Sequence, residues 1–150
     1  MNVLVAGAGY VGGALALELA AAGHRVVALR RRPVPLGGGV STLAADLFDA
    51  PSEASRLDLP AAIDTLVYCV APDGSTDAEY ERAYVLGLEN LLRAADRQRI
   101  ALRRVVFTSS TAVYAQDDGS VVDESSEVTP VGSARHLVAA ERIVRALGDH

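Results

Sequence analysis

Apolar and polar positions along the chain form two kinds of segment that follow one another in turn. Short apolar runs without polar alternation are typical of strands that are buried on both faces of a parallel sheet. Longer stretches with apolar residues three or four positions apart are typical of helices that pack one face on a core. The pattern predicts strands over residues 2–6, 26–29, 40–47, 64–70 and 104–109, and helices over residues 10–22, 52–58, 76–97 and 134–147.

This alternation of strands and helices defines the fold class. It predicts an α/β fold in which helices cover both faces of a parallel sheet. Right-handed crossovers then place the strands in the order 3-2-1-4-5, which is the doubly wound arrangement of Rossmann type. The chain has 150 residues, so we expect residues 1–150 to form a single domain with its own core.

A glycine-rich turn, G-x-G-x-x-G, joins the first strand to the first helix. Gly7 allows the sharp turn, Gly9 lets backbone amides close on a pyrophosphate, and Gly12 lets the helix pack tightly on the strand. The helix start directs unpaired N–H groups and its positive dipole end at the anion. We therefore predict a dinucleotide site that also includes Tyr10 and Val11. The alternative is a glycine-rich turn without a ligand.

The end of the second strand bears on the choice between NAD and NADP. An acidic residue at this place would hold the ribose 2′-hydroxyl of NAD. The chain has no Asp or Glu between Glu18 and Asp46, and Arg30, Arg31 and Arg32 occupy the place. A guanidinium binds a phosphate through paired hydrogen bonds, whereas a carboxylate repels it. This predicts NADP rather than NAD, with Arg30 and Arg31 as contacts; a solvated basic turn is the alternative.

Two further strand ends are expected to contact the dinucleotide. Asp46 and Leu47 close the third predicted strand, where a carboxylate can accept a hydrogen bond from the adenine amino group. An aspartate that caps a turn is the alternative interpretation of Asp46. Val70 and Ala71 end the fourth strand beside the point where the strand order reverses, and ligands gather at such points. They are predicted to pass under the adenine ribose and the nicotinamide end, unless they simply end a strand.

Composition and charge exclude several classes of partner. The formal net charge is −5 and no basic tail is present, which argues against nucleic acid or an anionic membrane as a partner. Cys69 is the single cysteine, which excludes an internal disulfide and a cysteine metal cluster, and no metal site is predicted. No run reaches the roughly 18 apolar residues of a membrane span, and no basic leader is apparent. The cytoplasm is therefore the expected compartment.

Three stretches together carry a family signature: the glycine turn over residues 7–12, residues 84–92 in the long helix, and residues 106–114, which begin in the fifth strand. They resemble the short-chain dehydrogenase/reductase superfamily, in its extended or atypical branch of the NAD-dependent epimerase/dehydratase type. The third stretch is the most specific, because it is similar to the family's fifth-strand signature. The glycine turn departs from the G-x-x-G-x-x-G of the extended members, because its first spacing is one residue shorter. In this respect it resembles an atypical subgroup.

The resemblance covers residue 1 to about residue 147 and implies an NADP-dependent oxidoreductase or a sugar-nucleotide epimerase-like enzyme with a small-molecule substrate. Family members continue into further strands and a smaller substrate-binding lobe, most of which is lacking in this chain. In related enzymes the long helix and the last helix pair across a dimer. A homodimer is therefore a further expectation.

The resemblance also implies a catalytic group. Ser110 matches the family's catalytic serine or threonine, which hydrogen-bonds the reacting oxygen, although a loop cap is the alternative. The family's Tyr-x-x-x-Lys pair is not matched, because all 14 basic residues are arginine. Ser133 and Leu137 stand at the two positions, or Gly132 and His136 in a register shifted by one. His136 can accept a proton near neutrality, whereas a solvated histidine is the alternative.

These observations leave three hypotheses about function. The first is an NADP-dependent oxidoreductase or epimerase-like enzyme, or the N-terminal portion of one. The second is a regulatory or redox-sensing module that binds NADP without turnover, which the missing tyrosine and lysine favour. The third is a truncated product with no independent role. In that case the last helix exposes an apolar face that drives self-association.

Overall fold

The computed structural model describes residues 1–32, 34–48, 57–116 and 118–148. Within these ranges five strands form one parallel sheet in the order β3-β2-β1-β4-β5, which confirms the predicted topology. The strands are β1 Asn2–Ala6, β2 Arg25–Arg30, β3 Ser41–Ala44, β4 Thr65–Tyr68 and β5 Arg104–Phe107.

Helical segments lie between and after the strands. The α-helices are α1 Tyr10–Ala21, α2 Asp77–Tyr80, α3 Gly87–Arg97 and α4 Ala134–Ala146, with a π-helical segment Glu81–Leu86 between α2 and α3 and a 3₁₀ turn Thr111–Val113 after β5. None of these helices is both long enough and apolar enough to cross a lipid bilayer, as far as the described ranges extend.

The central strand β1 explains why its sequence is apolar at every position. Val3 and Val5 pack on one face of the sheet with Ala16 of α1. Leu4 and Ala6 face the opposite side, where the core also contains α3. Successive side chains of a strand point to opposite faces, and both faces are covered here, so neither set tolerates polar groups.

The long helix predicted over residues 76–97 contains a local change in helix type. A capping box begins it, because Thr76 Oγ1 accepts the Glu79 amide at 3.3 Å and Glu79 Oε2 accepts the Thr76 amide at 3.0 Å. The middle of the helix adopts π geometry, and there the buried Tyr68 hydroxyl donates to the Ala83 carbonyl at 2.6 Å. A Cβ at Gly87 would lie 2.5 Å from the Tyr68 oxygen, so only glycine leaves room for this phenol.

Three predicted strands end earlier in the structure. The fourth ends at Tyr68 rather than at residue 70. The third ends at Ala44 rather than at residue 47, because the Asp46 carboxylate accepts the Phe48 amide at 2.9 Å and turns the chain out of the sheet. The fifth ends at Phe107 rather than at residue 109, where Ser110 caps the following 3₁₀ turn. The helix predicted over residues 52–58 lies mostly outside the described residues, and residues 57 and 58 are not helical.

Much of the apolar face of the last helix is covered, although Val144 and Leu147 are only partly buried. The hypothesis of a truncated product requires α4 to expose an apolar face. Leu137, Val138 and Ala140 are instead buried, at 1%, 7% and 0% exposure. Leu137 and Val138 pack with Val113 of the 3₁₀ turn, so the chain itself covers this part of the helix.

Candidate functional site

A cleft of about 860 Å³ opens where β1, β2, β3 and β4 end. In parallel α/β sheets ligands bind outside the carboxyl ends of the strands, where the strand order reverses, and here it reverses between β1 and β4. All but one of the cofactor residues predicted from the sequence line the cleft: Gly7, Gly9, Tyr10, Val11, Arg30, Arg31, Asp46, Leu47, Val70 and Ala71. The exception is Gly12, which lies behind the turn in the helix–strand contact.

Gly7 forms the tightest part of the floor of this cleft. Its φ of 84° lies in the left-handed region, which glycine adopts without strain. A Cβ at Gly7 would lie 2.6 Å from the carbonyl carbon and oxygen of Cys69 at the end of β4. The Gly7 and Ala8 amides both donate to the Leu29 carbonyl of β2, at 3.0 and 3.2 Å. The turn is therefore held between the two strands that flank β1.

Gly12 allows α1 to lie close to the same turn. A Cβ at this position would approach the Gly7 carbonyl oxygen to 2.5 Å and Val5 Cγ1 to 3.2 Å. The first of these atoms belongs to the backbone and cannot rotate away. Gly12 is therefore required by helix–strand packing, as the sequence predicts.

The start of α1 is open towards the cleft. Gly9 is its N-cap residue and makes no side-chain capping hydrogen bond. The Gly13 amide donates to the Gly9 carbonyl at 2.9 Å, so the amides of Tyr10, Val11 and Gly12 precede the first such bond of the helix. A Cβ at Gly9 would meet no atom of the described residues within 4 Å. Free amides beside open space are what a diphosphate requires, so this turn fits the predicted ligand.

The basic side of the cleft contains an ion pair that the sequence analysis did not anticipate. Arg31, just after β2, donates from Nη1 to Asp73 Oδ2 at 2.7 Å and from Nη2 to Asp73 Oδ1 at 2.5 Å. This bond raises the pKa of the Arg31 guanidinium and lowers the pKa of the Asp73 carboxyl. The sequence signal was an acidic turn, Pro72-Asp73-Gly74, directly after the fourth strand. Arg30 is half-buried at the end of β2 and also lines the cleft.

The residues after β3 and β4 complete the lining. The Asp46 carboxylate accepts the Phe48 amide, so the capping alternative for Asp46 is present in the structure, and Asp46 still lies in the cleft. Leu47 is buried, and its carbonyl accepts a hydrogen bond from the Asn90 side chain of α3 at 2.8 Å. Val70 and Ala71 follow β4 and border the glycine turn. The segment after β3 is therefore anchored to α3.

The two catalytic candidates lie outside the lining of this cleft. Ser110 is exposed and caps the 3₁₀ turn, with its oxygen accepting the Ala112 amide at 3.2 Å, which is the loop-cap alternative. His136 is bonded through Nε2 to Asp77 Oδ1 at 3.1 Å, and its side chain is 12% exposed. Arg135 also bonds Asp77, with Nη2 2.5 Å from Oδ2. His136 is thus held in an ionic cluster at the start of α2 rather than standing free in solvent.

The positions aligned with the family's tyrosine and lysine carry no equivalent chemistry. Ser133 is the N-cap residue of α4 and makes no side-chain capping hydrogen bond. Leu137 is 1% exposed in an apolar cluster. No phenol or amine is therefore present at either position. Within the described ranges, no group of three or more His, Cys, Asp or Glu side chains is placed to hold a metal ion.

The fold and the glycine-lined cleft define an α/β domain of Rossmann type. Residues 3–149 match the family model of the NAD dependent epimerase/dehydratase family, and the chain belongs to this family.

Individual relatives agree with this assignment. The chain is 28% identical over 158 residues to a 2-alkyl-3-oxoalkanoate reductase of Stenotrophomonas maltophilia (strain K279a), covering 97% of this chain and 46% of the relative. It is 32% identical to MoeE5, solved with UDP-glucose and NAD, with a TM-score of 0.77 over 97% of this chain and 48% of MoeE5.

A more distant structure shares the fold alone. The UDP-glucuronic acid 4-epimerase of Bacillus cereus, solved with NAD, is 19% identical and has a TM-score of 0.76 over 97% of this chain and 51% of the epimerase. The chain spans about half the length of these relatives.

The glycine turn leads to a stability prediction. We expect Gly12→Ala to lower the free energy of unfolding by about 1–3 kcal/mol, because the new methyl group overlaps a backbone carbonyl. The neighbouring Gly13→Ala is the matched control, since its Cβ would have no neighbour closer than 3.7 Å. We expect it to be neutral or stabilising by up to about 1 kcal/mol. Urea denaturation measures both, and equal destabilisation by the two variants would contradict the packing role of Gly12.

Proposed function

We propose that this domain binds a nicotinamide adenine dinucleotide in the cleft, with the diphosphate on the first turn of α1. The observation that carries the proposal is the uncapped start of this helix beside Gly9, where an added Cβ would enter open space. Membership of the NAD dependent epimerase/dehydratase family supports it, as does the NAD bound in MoeE5. Bound there, the dinucleotide would supply hydride exchange at its nicotinamide ring.

The lining of the cleft suggests which residues hold each half of the ligand. Arg30, Arg31, Asp46 and Leu47 surround the ends of β2 and β3, where we assign the adenosine half. Val70 and Ala71, which follow β4, are assigned to the segment that passes under the adenine ribose and the nicotinamide end.

We further propose that the domain prefers NADP. Arg30, Arg31 and Arg32 all line the cleft, and the sequence offers no acidic residue between residues 18 and 46 to hold a ribose 2′-hydroxyl. The two cofactors differ by one phosphate group, and guanidinium groups recognise phosphates through paired, charge-assisted hydrogen bonds. The NAD in MoeE5 is the ligand of that protein, so the preference here rests on the arginines of this chain.

We also propose that the domain binds the dinucleotide without turning over a substrate by itself. Proton exchange with a substrate needs a group whose pKa can be brought near neutrality. Leu137 has no ionisable group, and an arginine does not release its proton. In the shifted register His136 takes the lysine position, but it is bonded to Asp77 and lies outside the lining of the cleft. The alternative is an oxidoreductase or epimerase-like enzyme, which is favoured by Ser110 at the position of the family's catalytic serine and by relatives of about twice the length.

The dinucleotide site is tested by Gly9→Ala. We expect this variant to keep the thermal stability of the parent, because its methyl group meets no atom of the described residues within 4 Å. Its affinity for the dinucleotide should fall about tenfold or more, since the methyl group occupies the space where the backbone closes on the diphosphate. Isothermal calorimetry measures the binding, with Gly13→Ala as the control. Absence of binding by the unaltered chain at millimolar ligand would refute the site.

The NADP preference is tested by removing the arginines. We expect Arg30→Ala with Arg31→Ala to weaken NADP binding by at least about 1.5 kcal/mol. This is the lower end of the range of about 1.5–3 kcal/mol for one hydrogen bond to a charged group. Affinity for NAD should change little, because NAD lacks the 2′-phosphate. The control is Arg142→Ala with Arg145→Ala, which removes the same charge from α4, outside the lining of the cleft. Unchanged NADP affinity in the first double variant would take the arginines out of the site.

The absence of turnover is tested with NADPH and a panel of carbonyl compounds and sugar nucleotides. We expect the chain to bind NADPH but to oxidise it no faster than a protein-free blank, because the aligned tyrosine and lysine are replaced by Ser133 and Leu137. Nicotinamide absorbance follows the reaction. Oxidation at the rate of an active reductase, abolished by Ser110→Ala, would support the enzyme alternative instead.

A further inference from the structure

We propose that Asp73 is a specificity-determining counter-ion that competes with the 2′-phosphate of NADP for Arg31. The inference rests on the proposed NADP site and adds a residue that weakens the preference for NADP. The observation is the ion pair across the cleft, in which both terminal nitrogens of Arg31 bond the two oxygens of one carboxylate. The partners lie 42 positions apart, after β2 and after β4, so the pair bridges two strand ends.

The competition follows from the donor geometry of arginine. Paired recognition of a phosphate uses two parallel N–H groups of the guanidinium fork. In Arg31 the Nη1 and Nη2 groups are both directed at Asp73. A 2′-phosphate can gain this end-on contact through Nη1 and Nη2 only by displacing the Asp73 carboxylate. NAD carries no phosphate at this position and leaves the ion pair intact.

The ion pair is weak enough to be displaced. The side chains of Arg31 and Asp73 are 49% and 56% exposed, and exposed ion pairs contribute little because water and salt screen them. A phosphate carries more charge than a carboxylate and therefore competes well for the guanidinium. Displacement also leaves Asp73 as a negative group beside the incoming phosphate. Breaking the ion pair costs free energy, and the displaced carboxylate repels the phosphate. Both effects lower the affinity for NADP and leave the affinity for NAD unchanged.

A second contact keeps Arg31 at the cleft when Asp73 is displaced. The Arg31 guanidinium carbon lies 5.8 Å from the centre of the Phe48 ring, and the Arg82 guanidinium carbon lies 5.0 Å from the same ring. Phe48 itself lines the cleft. Cation–π contact does not depend on the carboxylate. Asp73 thus acts as a competitor of the ligand, and Phe48 supports Arg31 in either state.

The test is a double-mutant cycle read as the ratio of NADP to NAD affinity, measured by calorimetry at low ionic strength. We expect Asp73→Asn to raise NADP affinity about threefold to fivefold, the equivalent of one exposed ion pair, and to leave NAD affinity unchanged. In the Arg31→Ala background the same change should raise NADP affinity clearly less, because no ion pair is then broken and only the screened repulsion between Asp73 and the 2′-phosphate remains. This dependence on Arg31 and on the 2′-phosphate would not arise from a purely structural role of Asp73.

One control variant and two further results distinguish the counter-ion role of Asp73 from a general charge effect and from failure of the NADP site. Asp58→Asn removes the same charge from an exposed residue outside the cleft lining, and we expect it to leave the affinity ratio unchanged. If Asp58→Asn raises NADP affinity as much as Asp73→Asn does, the gain is a long-range charge effect and the proposal is overturned. Unchanged or weaker NADP binding by Asp73→Asn, while Arg31→Ala still weakens NADP, would overturn the counter-ion role alone. If Arg30→Ala and Arg31→Ala both leave NADP binding unchanged, the NADP site itself fails.

Discussion

The close approach of the first turn to its neighbouring strands is the constraint on which the rest of this structure depends. Gly7 lies against the backbone at the end of β4, and its amide bonds the last part of β2, so three adjacent strands meet at one residue. Gly12 then brings α1 down onto this turn. Because no side chain intervenes, the free amides of the helix start are directed into the cleft. Packing therefore needs glycine at both positions, and the proposed ligand site depends on that packing.

Two side-chain hydrogen bonds tie the helical segment over residues 77–97 to the ends of β3 and β4. The fully buried Tyr68 hydroxyl donates to the Ala83 carbonyl in the π-helical segment. Burial raises the pKa of this phenol, so it stays protonated and keeps its donor role. Asn90, further along the same long helix, binds the Leu47 carbonyl beside the cleft. The π-helical segment is thus bonded to the last residue of β4, and α3 holds the segment after β3.

The cleft and the positions of the family's tyrosine and lysine differ in the groups that they carry. Arginine side chains line the side where a 2′-phosphate is proposed to lie, and Asp73 offsets part of their charge. At the positions of the family's tyrosine and lysine the chain has a serine at a helix start and a buried leucine. Binding requires fixed donors and open space, whereas proton exchange requires a titratable group. The cleft offers open space beside the start of α1, and no phenol or amine stands at these two positions.

The sequence by itself determined the strand order and the glycine turn. Apolar runs, helical periodicity and glycine spacing are local signals that survive without tertiary context. Strand ends were less predictable, because the turn made by Asp46 and the cap made by Ser110 end β3 and β5 earlier than hydropathy indicates. Only the tertiary structure decided that Asp73 faces Arg31 and that Asp77 holds His136. These pairs join residues 42 and 59 positions apart, and only packing of the sheet and its helices brings such residues together.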